Sequence, residues 1–398
     1  MEFNKKVLSN GLTVLHEKRD VPVTTVMLAT KFGSAYEEES EKGIAHFIEH
    51  LCFKGTEKRT TKEIAESLEN VGGILNAFTS EEETAYHVKL PSNYLELAMD
   101  VIFDIFFNPV FPEAEIEKEA NVICEEIKMY NDDPRAHVMD QIKSQLYKGA
   151  FGMFIGGTEK IVRGMKREDL LKKHEEFYFP SNAVLAVVGN NDFEDVVKFA
   201  ENFCPEGKEK QISKKPVIEK KNSKEEENRK NILQANLAVG LHFPNMVEGK
   251  RYAAELFSTI LGSGMSSRLF SEVREKRGLA YSIKSMLDAG KHYSYLAILA
   301  GTDKTKVQDV IDISLEEIKK MENLDEGDFE EGKKQLKGSF DVSTEDCANT
   351  ALNLIFEEIV GDAKKYYEYK EKIDAVSIED VRSLAKFEDF SSFVVQPE

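Results

Sequence analysis

The chain has 398 residues, 41% of them hydrophobic, and carries 53 basic against 72 acidic side chains, a formal net charge of −19. That balance argues against nucleic acid, which needs a basic footprint, and no apolar run is long enough to span a bilayer. The length exceeds what one small core can bury and suggests two domains.

Taken in chain order, a charged start leads into a strand at 12–15, followed by a strand at 24–32 and a helix at 44–51. At about 100° per residue, Ile44, Phe47, Ile48 and Leu51 share one stripe of that helix, with His46, Glu49, His50 and Phe53 nearly opposite. A helix at 62–71, a glycine-bearing strand at 73–79, a strand at 84–90 and a helix at 95–106 come next. Residues 113–140 read as a glutamate-rich helix interrupted by Asn131-Asp132-Asp133-Pro134, with Ile116, Ala120, Ile123 and Ile127 as its apolar stripe. A strand at 183–188 closes the first half. From 205 to 229 Glu, Lys, Ser and Asn dominate, which reads as an exposed, flexible linker.

Beyond it the order repeats: strand 233–243, helices 252–261 and 268–276, glycine-bearing strand 278–286, strand 293–301, helix 307–321, and a closing strand at 390–395. Gly73 and Gly278 occupy equivalent places. A repeat of this size means duplicated domains rather than a solenoid. The expected fold is α+β: two tandem homologous domains, each a mostly antiparallel sheet covered by helices. Their expected boundaries are 1–205 and 230–398, joined by the charged linker 206–229. Cys52, Cys124, Cys204 and Cys347 are scattered, with no C-x-x-C pair, and read as reduced core residues. Neither an apolar export region nor a transit peptide opens the sequence, so a cytoplasmic location is the default expectation. The acidity permits a preference for basic peptides, and solubility accounts for it equally well.

His46-Phe47-Ile48-Glu49-His50 is the run that carries chemistry. Two histidines four apart project from one helix face and can share a zinc ion, while the glutamate between them can take a proton from metal-bound water. The pattern H-x-x-E-H is the inverzincin motif; the bland alternative is a chance polar cluster on a solvated face. Catalytic zinc commonly has three protein ligands plus water, so a third must come from elsewhere. Glu119 and Glu126, seven apart, stack on a common face of their helix; one could ligate while the other orients a ligating imidazole. His87 and His137 are rivals that spacing does not exclude. The second half has Leu256-Phe257-Ser258-Thr259-Ile260 where the first has the motif, and a lysine-rich stretch around Lys333 and Lys337 where the first has the two glutamates. A metal site in one copy only leaves the other to close the cavity and supply substrate contacts.

The sequence closely resembles the M16 metallopeptidases, the pitrilysin and mitochondrial-processing-peptidase relatives, in the group with subunits of about 400 residues. The stretches that carry the resemblance are HFIEHLCFKGT (46–56), GGILNAFTSEEETAYH (72–87), EKEANVICEEIKMYNDDP (117–134), GGTEKIVRGMKREDL (156–170), NAVLAVVGN (182–190) and SSRLFSEVREKRGLAYSI (266–283), spanning both halves. The resemblance implies Zn2+ bound by His46, His50 and Glu126, with Glu49 as general base and Glu119 behind a ligand. It also implies that Arg274 and Tyr281 meet the substrate carbonyl, and that Asn76, Ala77 and Phe78 form an edge onto which an extended peptide adds. The implied activity is that of a zinc endopeptidase cleaving unfolded peptides in an enclosed chamber. Since the family's clamshell has four domains, a homodimer is implied, with peptides as partners and neither nucleic acid nor membrane. The acidic pair that accepts a substrate arginine in processing peptidases is half present, with Asp140 at one position and Ala136 at the other. The rival reading is a non-catalytic or heterodimer-dependent scaffold subunit.

Overall fold

The computed structural model describes residues 2–207 and 214–398. Residues 208–213, part of the expected linker, lie outside the described residues. No helix among the described residues is long and apolar enough to cross a membrane.

The first sheet contains β1 (Glu2–Val7), β2 (Thr13–Lys18), β3 (Val23–Thr30), β4 (Ile74–Thr79), β5 (Thr84–Pro91) and β6 (Ala183–Gly189). Their spatial order is β1-β2-β6-β3-β5-β4. The second contains β7 (Lys224–Arg229), β8 (Ala235–His242), β9 (Ala280–Ala289), β10 (Ser294–Thr302) and β11 (Ser391–Pro397), in the order β7-β11-β8-β10-β9. Each sheet has a single parallel pairing, β2 with β6 and β7 with β11; all other neighbours are antiparallel. The repeat therefore holds strand for strand, with β1 as an addition to the first copy. Central strands β3 and β6 are buried along almost their whole length, which is why they read as continuous apolar runs rather than alternating ones.

The chain forms α1 (Ile44–Cys52), α2 (Thr61–Glu69), α3 (Leu95–Phe107), α4 (Glu113–Asp132) and α5 (Pro134–Leu146) before it reaches β6. A capping box between Thr60 and Glu63 starts α2. Asp133 caps α5 with Pro134 in its first turn, so the Asp-Pro step ends one helix and begins the next.

Contacts group the described residues into two compact units. The first holds the residues up to Ile127 together with Ile155–Val217 and Ser343–Tyr366; the second holds Lys128–Phe154, Ile218–Val342 and Tyr367–Glu398. This departs from the contiguous boundaries expected from the sequence. Helix α5, from the first half of the chain, packs on β8 and β11, whereas Cys347–Val360, from the second half, packs on β6 and β3. The two helices occupy the same place in each repeat, so exchanging them leaves the apolar pattern of both copies unchanged and invisible in the letters.

Two further expectations are corrected. The linker's last six residues, Lys224–Arg229, form β7: an edge strand of charged residues, polar because one side of it faces no further strand. The helix expected at 268–276 is present, but its body, Phe270–Glu275, is wound as a π-helix.

Candidate metal centre and active site

Helix α1 puts Ile44, Phe47, Ile48 and Leu51 into the core at 1% exposure or less. Its start is built from buried charge. The Glu37 carboxylate accepts from the backbone N–H of Gly43 (3.1 Å) and Ala45 (2.8 Å), satisfying donors that the first turn leaves open. Lys42 lies 3.3 Å from Glu37, both side chains fully buried, and donates to the Ser34 carbonyl at 2.9 Å. Gly43 has φ +95°, and a Cβ there would come within 2.5 Å of the Gly156 carbonyl oxygen, so only glycine fits. The entry to α4 is pinned as well. Phe111 adopts φ +44°, a conformation costing on the order of 1–3 kcal/mol, while Arg167 donates to the carbonyls of Phe111 (2.7 Å) and Val110 (2.8 Å).

These two helices bring His46, His50 and Glu126 together. Glu126 Oε2 lies 3.7 Å from Nε2 of His46 and 3.7 Å from Nε2 of His50, and one ligand atom from each of the three falls within 4.8 Å of the others. No other trio of His, Cys, Asp or Glu converges in this way among the described residues. Tetrahedral zinc with bonds of about 2.0–2.2 Å separates its ligand atoms by roughly 3.3–3.6 Å; the two imidazoles and the carboxylate fit the ion in number and donor type, and the two 3.7 Å separations lie just outside that range. The rival ligands His87 and His137 are not part of this cluster. His137 bonds Glu227 at 3.0 Å on α5, in the second unit, and His87 is half-buried on β5.

Glu49 lies on the same helix at 9% exposure, its Oε2 accepting from the Thr79 hydroxyl at 2.6 Å. Burial pushes the Glu49 carboxyl above its ordinary range against the pull of that hydrogen bond, which suits a group that must accept a proton near neutrality. Burial, with the charge of His50 adding to it, drops His46 to about 3, so its ring is neutral and has no proton to shed before binding a metal. Glu119 accepts from His50 Nδ1 at 3.2 Å and from Lys54 Nζ at 2.7 Å. Burial works to raise the Glu119 carboxyl, but those two partners outweigh it and hold it below the usual range.

Thr79 ends β4, one of the two edge strands of its sheet. On that strand lie Asn76, Ala77 and Phe78, and the Asn76 side chain accepts from the Ala77 N–H at 2.9 Å. Arg274 and Tyr281 come together in the second unit: the guanidinium sits 4.5 Å from the Phe270 ring centre and 5.5 Å from that of Tyr281, whose side chain is 70% exposed. Sequence reasoning missed the contacts of Thr79 and Lys54 with the two glutamates. Lys54 stands four residues after His50, just beyond the end of α1, and that short spacing was the available signal.

Comparison with known proteins bears on the family and the fold. A family model described as insulinase (peptidase family M16) matches residues 12–158, and one described as the M16 peptidase inactive domain matches residues 164–336. An uncharacterised zinc protease of Bacillus subtilis, YmxG, is 33% identical over 375 residues, covering 92% of this chain and 91% of that protein. The chain belongs to peptidase family M16. A second M16-like relative, an uncharacterised zinc protease of Mycobacterium leprae, is 31% identical over 398 residues, covering 96% of this chain and 88% of its own. Among solved structures, a protease from Helicobacter pylori superposes with a TM-score of 0.91 at 21% identity, covering 100% of this chain and 99% of that one. The M16 inactive-domain protein from Pseudomonas fluorescens gives 0.88 at 18% identity, covering 100% and 98%. These two likenesses concern the fold, which is that of two M16 domains.

Proposed function

We propose that this M16 protein is a zinc-dependent endopeptidase that cleaves unfolded peptides or peptide segments within a chamber enclosed by a homodimer. The observation that supports it most is the convergence of His46, His50 and Glu126 beside a buried Glu49. Zinc, when bound, supplies Lewis acidity, bringing a water's pKa toward neutrality and polarising a carbonyl. Glu49 removes the proton of the attacking water and hands it to the leaving amine. Thr79 occupies one Glu49 oxygen and leaves the other for that exchange. The outer edge of β4, at Asn76, Ala77 and Phe78, accepts an extended peptide as an added strand, so main-chain hydrogen bonds hold the substrate without selecting its sequence. On the family resemblance, Arg274 and Tyr281 are assigned as donors to the substrate carbonyl; loss of one such donor typically costs about 2.7–4 kcal/mol of transition-state stabilisation.

The test pairs metal analysis of the purified chain with cleavage of a quenched fluorescent peptide, with and without chelator. One zinc per chain and chelator-sensitive cleavage are expected; mass measurement in solution should give the dimer. The match of residues 164–336 to an inactive-domain model leaves one alternative open, a non-catalytic or heterodimer-dependent subunit. Cleavage appearing only when a second chain is added would select it.

A further inference from the structure

Glu119 is shared between two donors, one on each oxygen. Oε2 accepts from His50 Nδ1 at 3.2 Å and Oε1 from Lys54 Nζ at 2.7 Å. The Glu119 side chain is 6% exposed and that of Lys54 24%. Each carboxylate oxygen thus has its own donor, so the carboxylate plane is held at both ends. Its fixed oxygen in turn holds the proton of His50 on Nδ1, leaving the Nε2 lone pair toward Glu126, 3.7 Å away. The neighbouring imidazole has no such support: His46 Nδ1 is buried without a hydrogen-bond partner. Of the two imidazoles, only His50 is held by a hydrogen bond at Nδ1, through Glu119 and, behind it, Lys54.

We propose that Lys54 is a positioning residue that, acting through Glu119, orients His50 and strengthens the site's hold on its metal. The proposal rests on the zinc reading given above, and its sign separates it from simple electrostatics. An ammonium repels a dication, so Coulomb's law alone predicts that removing Lys54 tightens zinc binding. Positioning through Glu119 predicts the reverse. Partners that stand behind a ligand typically change metal affinity by about 10–100-fold when removed.

The experiment measures zinc affinity of the full chain by competition with a chromophoric chelator, with no peptide present. Lys54→Met is expected to weaken binding by about 10–100-fold, and Lys54→Arg to stay near wild type. Glu119→Gln should weaken it comparably, and adding Lys54→Met to Glu119→Gln should change nothing further. Unfolding midpoints of the metal-free proteins are read in parallel; should Lys54→Met fail to fold, Lys54→Gln carries the same expectation. Unchanged or tighter zinc binding in Lys54→Met overturns the inference while leaving the zinc reading intact, as does undiminished weakening in the Glu119→Gln background. Absence of zinc binding by the wild-type chain removes both.

Discussion

The same junction, a helix laid on an edge strand, is built twice in this molecule with different chemistry. In the first unit α1 meets the end of β4 through Glu49 and the Thr79 hydroxyl, 2.6 Å apart. In the second, Arg251–Gly262 meets β9 through the Ser258 and Ser285 hydroxyls, 3.2 Å apart, and Gly262 lies so close that a Cβ would come within 2.3 Å of the Ser285 nitrogen. The helices that follow differ in the same sense. Glu119 and Glu126 face the imidazoles on α4, whereas Lys333 and Lys337, on Glu326–Ser343, donate to the carbonyl and carboxylate of Asp374. Both copies bury a comparable apolar stripe, Ile44, Phe47, Ile48 and Leu51 in one, Leu256, Phe257, Ile260 and Leu261 in the other. The apolar face builds the scaffold, and the opposite face is left to carry a site or a tight structural contact.

That contrast can be broken at several points. The largest effect is expected from Glu49→Gln, which should lower kcat/KM for a quenched peptide by about 10²–10⁴-fold with zinc content retained. Near wild-type cleavage would place the proton acceptor elsewhere. Lys42→Met leaves Glu37 buried without its cation and should destabilise the first unit by about 3–5 kcal/mol in denaturant unfolding. An unshifted transition would mean that the pair contributes nothing to seating α1. Next comes Thr79→Val, expected to cost about tenfold or more in kcat from the lost hydrogen bond to a charged group, with Thr79→Ser restoring most of it. Equal loss in the serine variant would point to packing instead. The smallest effect belongs to the second unit: Lys337→Ala, at a partly exposed ion pair, should change stability by under about 1 kcal/mol and zinc content not at all.

Much of this was readable in the letters because the relevant signals are local. Helix α1 follows from the spacing of its four apolar residues, and the shared projection of His46, Glu49 and His50 follows from the same wheel. Strands β3, β5, β8 and β10 also fall where alternation and apolar runs placed them. What was not local stayed hidden. Spacing could not choose among Glu126, Glu119, His87 and His137, since the choice depends on how α4 crosses α1. Nor could composition show that the second face of α1 is covered rather than solvated, with Glu49 at 9% exposure. The strand β7 escaped because a charged edge strand and a charged linker share one composition. The exchange of α5 with Cys347–Val360 escaped because both copies give up and receive the same kind of helix.

Everything chemical here depends on one ion at one place. The most direct measurement is anomalous diffraction at the zinc absorption edge from crystals of the zinc-loaded chain. The account predicts one strong peak per chain, about 2.0–2.2 Å from Nε2 of His46, Nε2 of His50 and a carboxylate oxygen of Glu126. A peak held by other residues, or none with zinc in excess, would contradict it.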